Sequence, residues 1–427
     1  MLLFILFFVI VLSSLLFTFA RHLYIDGYTV TSLTAAKQAY VTGEAALEDV
    51  VYRFVTTGSG TLGATLTGIR GAATTTVTYD STRDVYTIRA NTVAGRAERV
   101  TVVELQRQPG SAFNYGIQTG NGGFRIANGA TVDGNIFSNG TIEGQGSSFI
   151  TGDAISAGDD GYIADMEIQG SSWSHTLESS VVFGDAHYND EVGGNTVGGS
   201  RVQPFTVFDE EPLPIEEDEF DEWQAHIEDT GALIRATDPE CDGGEYEIST
   251  DTVLGTTKIE CDLYIRGVAG GTELVLNGSL WVVGNIRFSN GPVVRVGPFQ
   301  DGNSVFMIAD DPTDRTTRST INIANDTEIY GSGHESSFVM LVSRNQSASL
   351  GGSTPAIEIG QRSSGDMILF AGAGSVQIRN QINLNAVTGY RIDIGNNSTV
   401  TYQDGLQNIN FTGGPGATYH IAGWYQE

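Results

Sequence analysis

A chain of 427 residues is long enough for two or more domains, each with its own core. Its formal net charge of −29, from 51 acids against 22 Lys and Arg, argues against a nucleic-acid binder, which must neutralise phosphates to hold them. The 54 glycines, among many Asn, Thr and Ser, argue against a mainly helical enzyme and suit short strands joined by tight turns.

The first element is an anchor, residues 1–24. Met1–Ala20 carries no charge, and as a helix it spans about 30 Å, the thickness of a bilayer core. A cleaved signal peptide is the rival reading, because FTFA resembles a small-residue cleavage site. The charged start of a signal peptide is missing, however, and the apolar run is too long for one, so a retained anchor is expected. Arg21 and His22 follow it, with no Lys or Arg on the other side, which runs against the positive-inside rule.

Residues 25–56 predict an amphipathic stalk helix. Leu33, Ala36, Tyr40, Leu47, Val51 and Phe54 recur at helical steps and define its packing face, with Gly43 and Glu44 interrupting the apolar character midway. The stretch QAYVTGEAALEDVVYRF resembles the stalk of PilX-type minor pilins. That resemblance implies a helix held in the membrane at one end, pilin subunits as partners along the stalk, and a location at the cell surface or pilus. The prepilin signature, a basic leader ending in Gly before Phe-Thr-Leu-Ile-Glu, does not precede it.

Residues 57–110 read as a small β-module, a pilin-like head. Thr57–Gly63 is a Gly/Thr-rich linker, and Thr74–Leu105 alternates as three antiparallel strands. From about residue 111 the character changes. Ile126, Val132, Ile136, Ile142, Ile150 and Ile155 stand as isolated apolar beads between Gly and Asn-Gly turns. The same manner returns after residue 236, where INIANDTEIYG, IEIGQRSSGD, VQIRNQINLN and IDIGNNSTVTY start at Ile321, Ile357, Val376 and Ile392. A repeat of 16 to 19 residues, with 36 as two units, predicts a parallel β-helix whose coils bury their inward residues only by stacking. An irregular β-sandwich is the alternative. These beads resemble the coils of bactofilin-type polymer-forming proteins, and the whole arrangement resembles bacterial surface proteins with pilin-type N-termini. The fold class is therefore mainly β: an N-terminal transmembrane and amphipathic helix, a small antiparallel module, then a solenoid in two parts, 111–201 and 236–427. The closing IAGWYQE reads as the solenoid's cap.

Between the two parts, residues 202–235 are an acidic insertion with eleven acids and no Lys or Arg from Val202 to Ile234. Pro212 and Pro214 stop any strand, and Ile215, Phe220, Trp223 and Ile227 mark one face of a short helix. The insertion either covers part of the solenoid or docks a cationic partner. Cys241 and Cys261 in an exported chain predict a disulfide, with two free buried thiols as the alternative. Without an adjacent histidine they do not make a zinc site.

Catalytic signals are weak. Asp159 with Asp160, and Asp310 with Asp311, are the candidate carboxylate pairs for glycoside hydrolysis, but both sit in turns where acids are common. Six histidines show no ligand or triad spacing. No cofactor or metal is implied. The function expected is that of a membrane-anchored, non-enzymatic surface protein, structural and adhesive, with pilin subunits and surface glycans as partners and no nucleic acid. An anchored polysaccharide-active enzyme and a bactofilin-like polymer are the rival readings.

Overall fold

The structure is a computed structural model that describes residues 2–57, 65–68, 71–80, 85–107, 115–300, 302–324, 326–402 and 419–426. The chain forms two compact units. One comprises residues 1–108 together with 418–427, and the other residues 109–417. The expected linker at 57–63 lies almost wholly outside the described residues.

The first unit is organised by helix α1, Leu2–Thr57, which runs unbroken from the apolar segment into the stalk. Four strands follow: β1 Thr65–Gly68, β2 Gly71–Asp80, β3 Val85–Ala94 and β4 Ala97–Arg107. They pair antiparallel in sequence order, and Gly95 takes a positive φ of 59° in the two-residue turn between β3 and β4. A fifth strand, Tyr419–Gln426, lies antiparallel beside β4, with Trp424 opposite Val103. The closing IAGWYQ, expected as the solenoid's cap, is therefore a strand of this sheet instead. It completes the sheet begun at Thr65, which among the described residues has five strands where three were expected.

Ala39, Gly43, Ala46, Leu47 and Val50 form the buried face of α1, against Ile88, Ala90, Val103 and Leu105 of the sheet. Gly43 is the point of closest approach. A Cβ there would stand 2.9 Å from Thr92 Oγ1 and 3.1 Å from Thr101 Oγ1, so the glycine that looks like an interruption is part of the packing face. Of the predicted face, Leu47 is buried, Ala36, Tyr40 and Val51 are half-buried, and the Phe54 side chain lies outside the described residues. Leu33 is 65% exposed and does not belong to the face, which begins one turn later.

The second unit is a stack of parallel coils with one continuous apolar interior. Ile321, Ile357, Val376, Ile392, Phe124 and Ile142 occupy one inward column, each in register with the next. The 36-residue interval is thus a single enlarged coil, not two. At one row of turns a polar ladder runs along the stack. Asn135 Oδ1 accepts from the Asp153 amide at 2.9 Å, Asp153 Oδ1 from the Ser171 amide at 2.8 Å, and Asp185 Oδ1 from the Ser200 amide at 2.6 Å. The ladder satisfies turn amides that no strand can reach.

The order of coils in space differs from their order in sequence. Strand Ala386–Ile394, near the end of the solenoid sequence, pairs in parallel with Ile117–Ile126 at its beginning. The chain therefore enters mid-stack and builds coils out to Val202. It recrosses the outside through residues 203–231, restarts at Ala232 at the far end, and stacks back to where it entered. The two expected halves are one continuous solenoid. Its entry and exit are adjacent: the Val387 amide donates to the Gly116 carbonyl at 3.1 Å, and the Tyr402 amide to the Asp133 carbonyl at 2.9 Å.

One row of strands is apolar on its outer side as well. Val305–Ala309 is buried at every position, and so are the four apolar residues of Val339–Val342, as strands covered on both faces must be. Trp281, Ile308, Val342 and Phe370 continue one outward column, and Phe137, Ile155, Trp173 and His187 carry it toward the opposite end. The recrossing segment is what covers this stripe.

Candidate functional surfaces

Large apolar side chains of α1 from Ile5 to Leu33 are exposed, Phe17 and Leu23 by more than 70%. In this segment α1 is long and apolar enough to cross a membrane, at a mean hydropathy of 2.0. Where α1 reaches the sheet, an open groove of about 610 Å³ is lined by Leu33, Lys37, Tyr40, Arg99, Trp424 and Tyr425. It combines exposed aromatic surface with two cations, in a chain otherwise dominated by acids.

The recrossing strap is built in two parts. Its first part is extended: the Phe208 carbonyl accepts from the Gly158 amide at 2.9 Å, and the Pro212 carbonyl from Gln118 Nε2 at 2.9 Å. Asn139 donates to the Glu211 carbonyl at 2.8 Å and accepts from its amide at 3.0 Å. The second part is helix α2, Glu217–Thr230. Ile215, Phe220, Trp223 and Ile227 are all buried against the outward stripe. Trp223 stacks on Phe306 at 4.8 Å between ring centres, and Phe220 meets Phe370 at 5.1 Å. Of the two sequence readings, this geometry is that of the covering connector.

An ion network that the sequence reading missed pins α2 in place. Arg344, 4% exposed, donates to Glu217, Asp221 and Gln224 on α2 and reaches Asp310 Oδ2 at 3.4 Å. Asp310 is fully buried, and Arg315 grips both its oxygens at 2.7 and 2.8 Å. Lys258 adds a contact to Glu228 at 2.8 Å and lies over the Trp281 ring. In the first turn of α2, burial first and then the acids Glu216, Asp218 and Glu222 push the Glu219 carboxyl above its ordinary range. No spacing marks Arg344 in the sequence; only an isolated Arg closing the apolar run VMLVS hints at it.

The candidate carboxylate pairs do not converge on a common space. Asp159 and Asp160 are exposed in a turn, Asp310 is consumed by the ion network, and Asp311 pairs with Arg318 at 2.8 Å. Among the described residues no group of His, Cys, Asp and Glu is arranged to hold a metal ion. His187 stacks on Trp173 at 5.2 Å, and His175 stands 3.8 Å from Asp190. A polar groove of about 520 Å³ on the solenoid is lined by Asn322, Glu358, Gln361, Arg379 and Asn380.

Cys241 and Cys261 are joined, Cα atoms 6.0 Å apart, and link the first two coils after the strap. At the opposite end the inward columns change character. Glu191 stands in register with Leu177, and Arg201 with Ala186. The two ion-pair at 2.7 Å, with Tyr188 Oη donating to Glu191 at 3.1 Å and Asn195 Nδ2 at 3.3 Å. Two inward columns of the last coil therefore end in charge, while a third ends in the half-buried Val197, in register with Val182.

No family model matches the sequence, and no curated protein matches it. Among solved structures, the chain is similar to the competence-associated pilin ComZ from Thermus thermophilus, at 11% identity and a TM-score of 0.37, over 92% of this chain and 98% of that one.

Proposed function

We propose that this chain is a membrane-anchored surface protein built on a pilin-type stalk and head, with a structural and adhesive role in or beside a type IV pilus. The observation that carries the reading is the continuity of α1: its exposed apolar segment and the face that packs under the antiparallel sheet belong to one unbroken helix. Anchor and stalk are thereby a single element, as the stalk resemblance implies. The groove beside Lys37 and Trp424 suits the stalk of a neighbouring pilin subunit. The solenoid, whose sequence lies between two adjacent strands of the head, supplies the adhesive surface, and repeated polar side chains around Asn322 and Arg379 suit surface glycans. No catalytic role is assigned. Deleting residues 1–24 tests the anchor: the shortened protein should leave the membrane fraction for the soluble one, and its retention on membranes would contradict the reading.

A further inference from the structure

The two ends of the solenoid are finished differently, and the difference points to a partner. The end near Val202 places the Glu191–Arg201 ion pair in two of its inward columns, with Val197 in the third, a device that opposes addition of another strand because a charge would have to be buried. The end that begins at Ala232 has no such pair. Its strands, Ala232–Ile234, Glu245–Ile248 and Thr252–Leu254, each pair on one side only among the described residues. Ile234, Tyr246, Ile248 and Leu254 continue the inward apolar columns of Ile259, Leu263, Ile265 and Leu276, and three of those four are incompletely covered. Two outward apolar side chains are bare, Leu233 at 40% and Val253 at 61% exposure. The disulfide ties this coil to the next and holds the edge in shape.

Charge selects the occupant. From Ala232 to Leu254 the terminal coil carries six acids and one Arg, and of the six Glu245 and Glu247 pair with Arg287 and Arg266. A second copy of this chain would bring the same acidic rim to the contact, and like charges facing each other oppose it. We propose that this end of the solenoid is a docking edge for an extended, cationic, β-branched segment of another protein, which adds as a further strand to the terminal coil. Backbone pairing along the open edge holds the segment, apolar side chains cover Ile234 and Leu254, and Lys or Arg meets the acidic rim.

The test uses the full chain in detergent micelles and a synthetic peptide of alternating Val and Lys, with a Val/Glu peptide as control. The Val/Lys peptide should bind, and the Leu233→Lys/Val253→Lys variant should weaken it by about tenfold or more, while Val192→Lys at the other end changes nothing. Hydrogen exchange on the unaltered protein gives a readout independent of any variant: the peptide should slow the amides of residues 232–234, 245–248 and 252–254. Absence of binding, equal binding of the Val/Glu peptide, or protection elsewhere would overturn the proposal. So would a dimer of the unaltered protein that the double variant disperses, since the occupant would then be a second copy.

Discussion

Gln224 of α2 and Asp310 of the solenoid share a buried hydrogen bond of 2.8 Å across 86 residues of sequence. Around it Arg344 and Arg315 neutralise Asp310, and Arg344 also binds Glu217 and Asp221 of α2. An acidic segment that looks free to meet a partner is thus held on one side by apolar rings and on the other by Arg344 and Lys258. Replacing Arg344 by Met removes the charge that joins helix to coil and leaves Glu217 and Asp221 without it. The expected loss is about 1 to 3 kcal/mol of stability, because charged hydrogen bonds are lost while Glu217 and Asp221 stay largely exposed and Asp310 keeps Arg315. Hydrogen exchange should show α2 opening first, and unchanged protection there would contradict the assignment.

Phe220→Ala probes the apolar side of the same helix. Truncating a buried aromatic costs about 3 to 5 kcal/mol. Here it also bares Phe370, so increased binding of a hydrophobic dye should accompany the lower midpoint in denaturant.

The Glu191–Arg201 pair predicts the behaviour of the other end. Replacing both by Leu makes the last inward positions apolar and leaves the coil open. The variant should associate end to end into open chains visible by sedimentation, where the unaltered protein does not use this end. The pair also has a pH signature. The bond from Arg201 holds the Glu191 carboxyl below its ordinary range, against the opposing effect of burial. A lowered folded value means the stabilisation is present above the unfolded value of about 4.3 and is lost as pH falls through the folded one. The stability difference between the unaltered protein and Glu191→Gln, small for so exposed a pair, should therefore persist at neutral pH and fade in acid as pH falls below the unfolded value of about 4.3.

Gly43→Leu tests the seat of the stalk. A side chain there meets Thr92 and Thr101 at less than contact distance, so the sheet must lift from the helix at a cost of about 1 to 3 kcal/mol. The effect should appear in the first unit, with the melting of the solenoid unchanged.

Reducing the disulfide Cys241–Cys261 releases a loop of 20 residues and should destabilise the solenoid by about 3 kcal/mol in the chain-entropy picture. Loss of protection should start at residues 232–254, and a Cys241→Ala/Cys261→Ala variant should show no further effect of reductant.

Much of this fold is legible in local patterns. Ile321, Ile357, Val376 and Ile392 must be apolar because each faces the stack interior, and they sit in one column. Phe220, Trp223 and Ile227 recur at helical spacing because one side of α2 is buried. What local patterns do not carry is pairing at a distance. Nothing near Val387 announces that it lies beside Ile117, or near Trp424 that it lies opposite Val103, because backbone hydrogen bonds fix register without regard to side-chain type. Gly43 misleads for a different reason: a close approach of helix to sheet is recorded as a missing side chain, which a hydrophobic pattern reads as a gap. Arg344 and Asp310 are similarly silent, since a buried ion pair leaves no periodicity.

One fractionation tests the pilus role most directly. Cells carrying the protein are sheared, and the filament and membrane fractions are probed with an antibody to the solenoid. The protein should travel with the sheared filaments, its stalk packed among pilin subunits. If all of it stays with the membranes while pilins are released, α1 is an anchor alone and the pilus role is wrong.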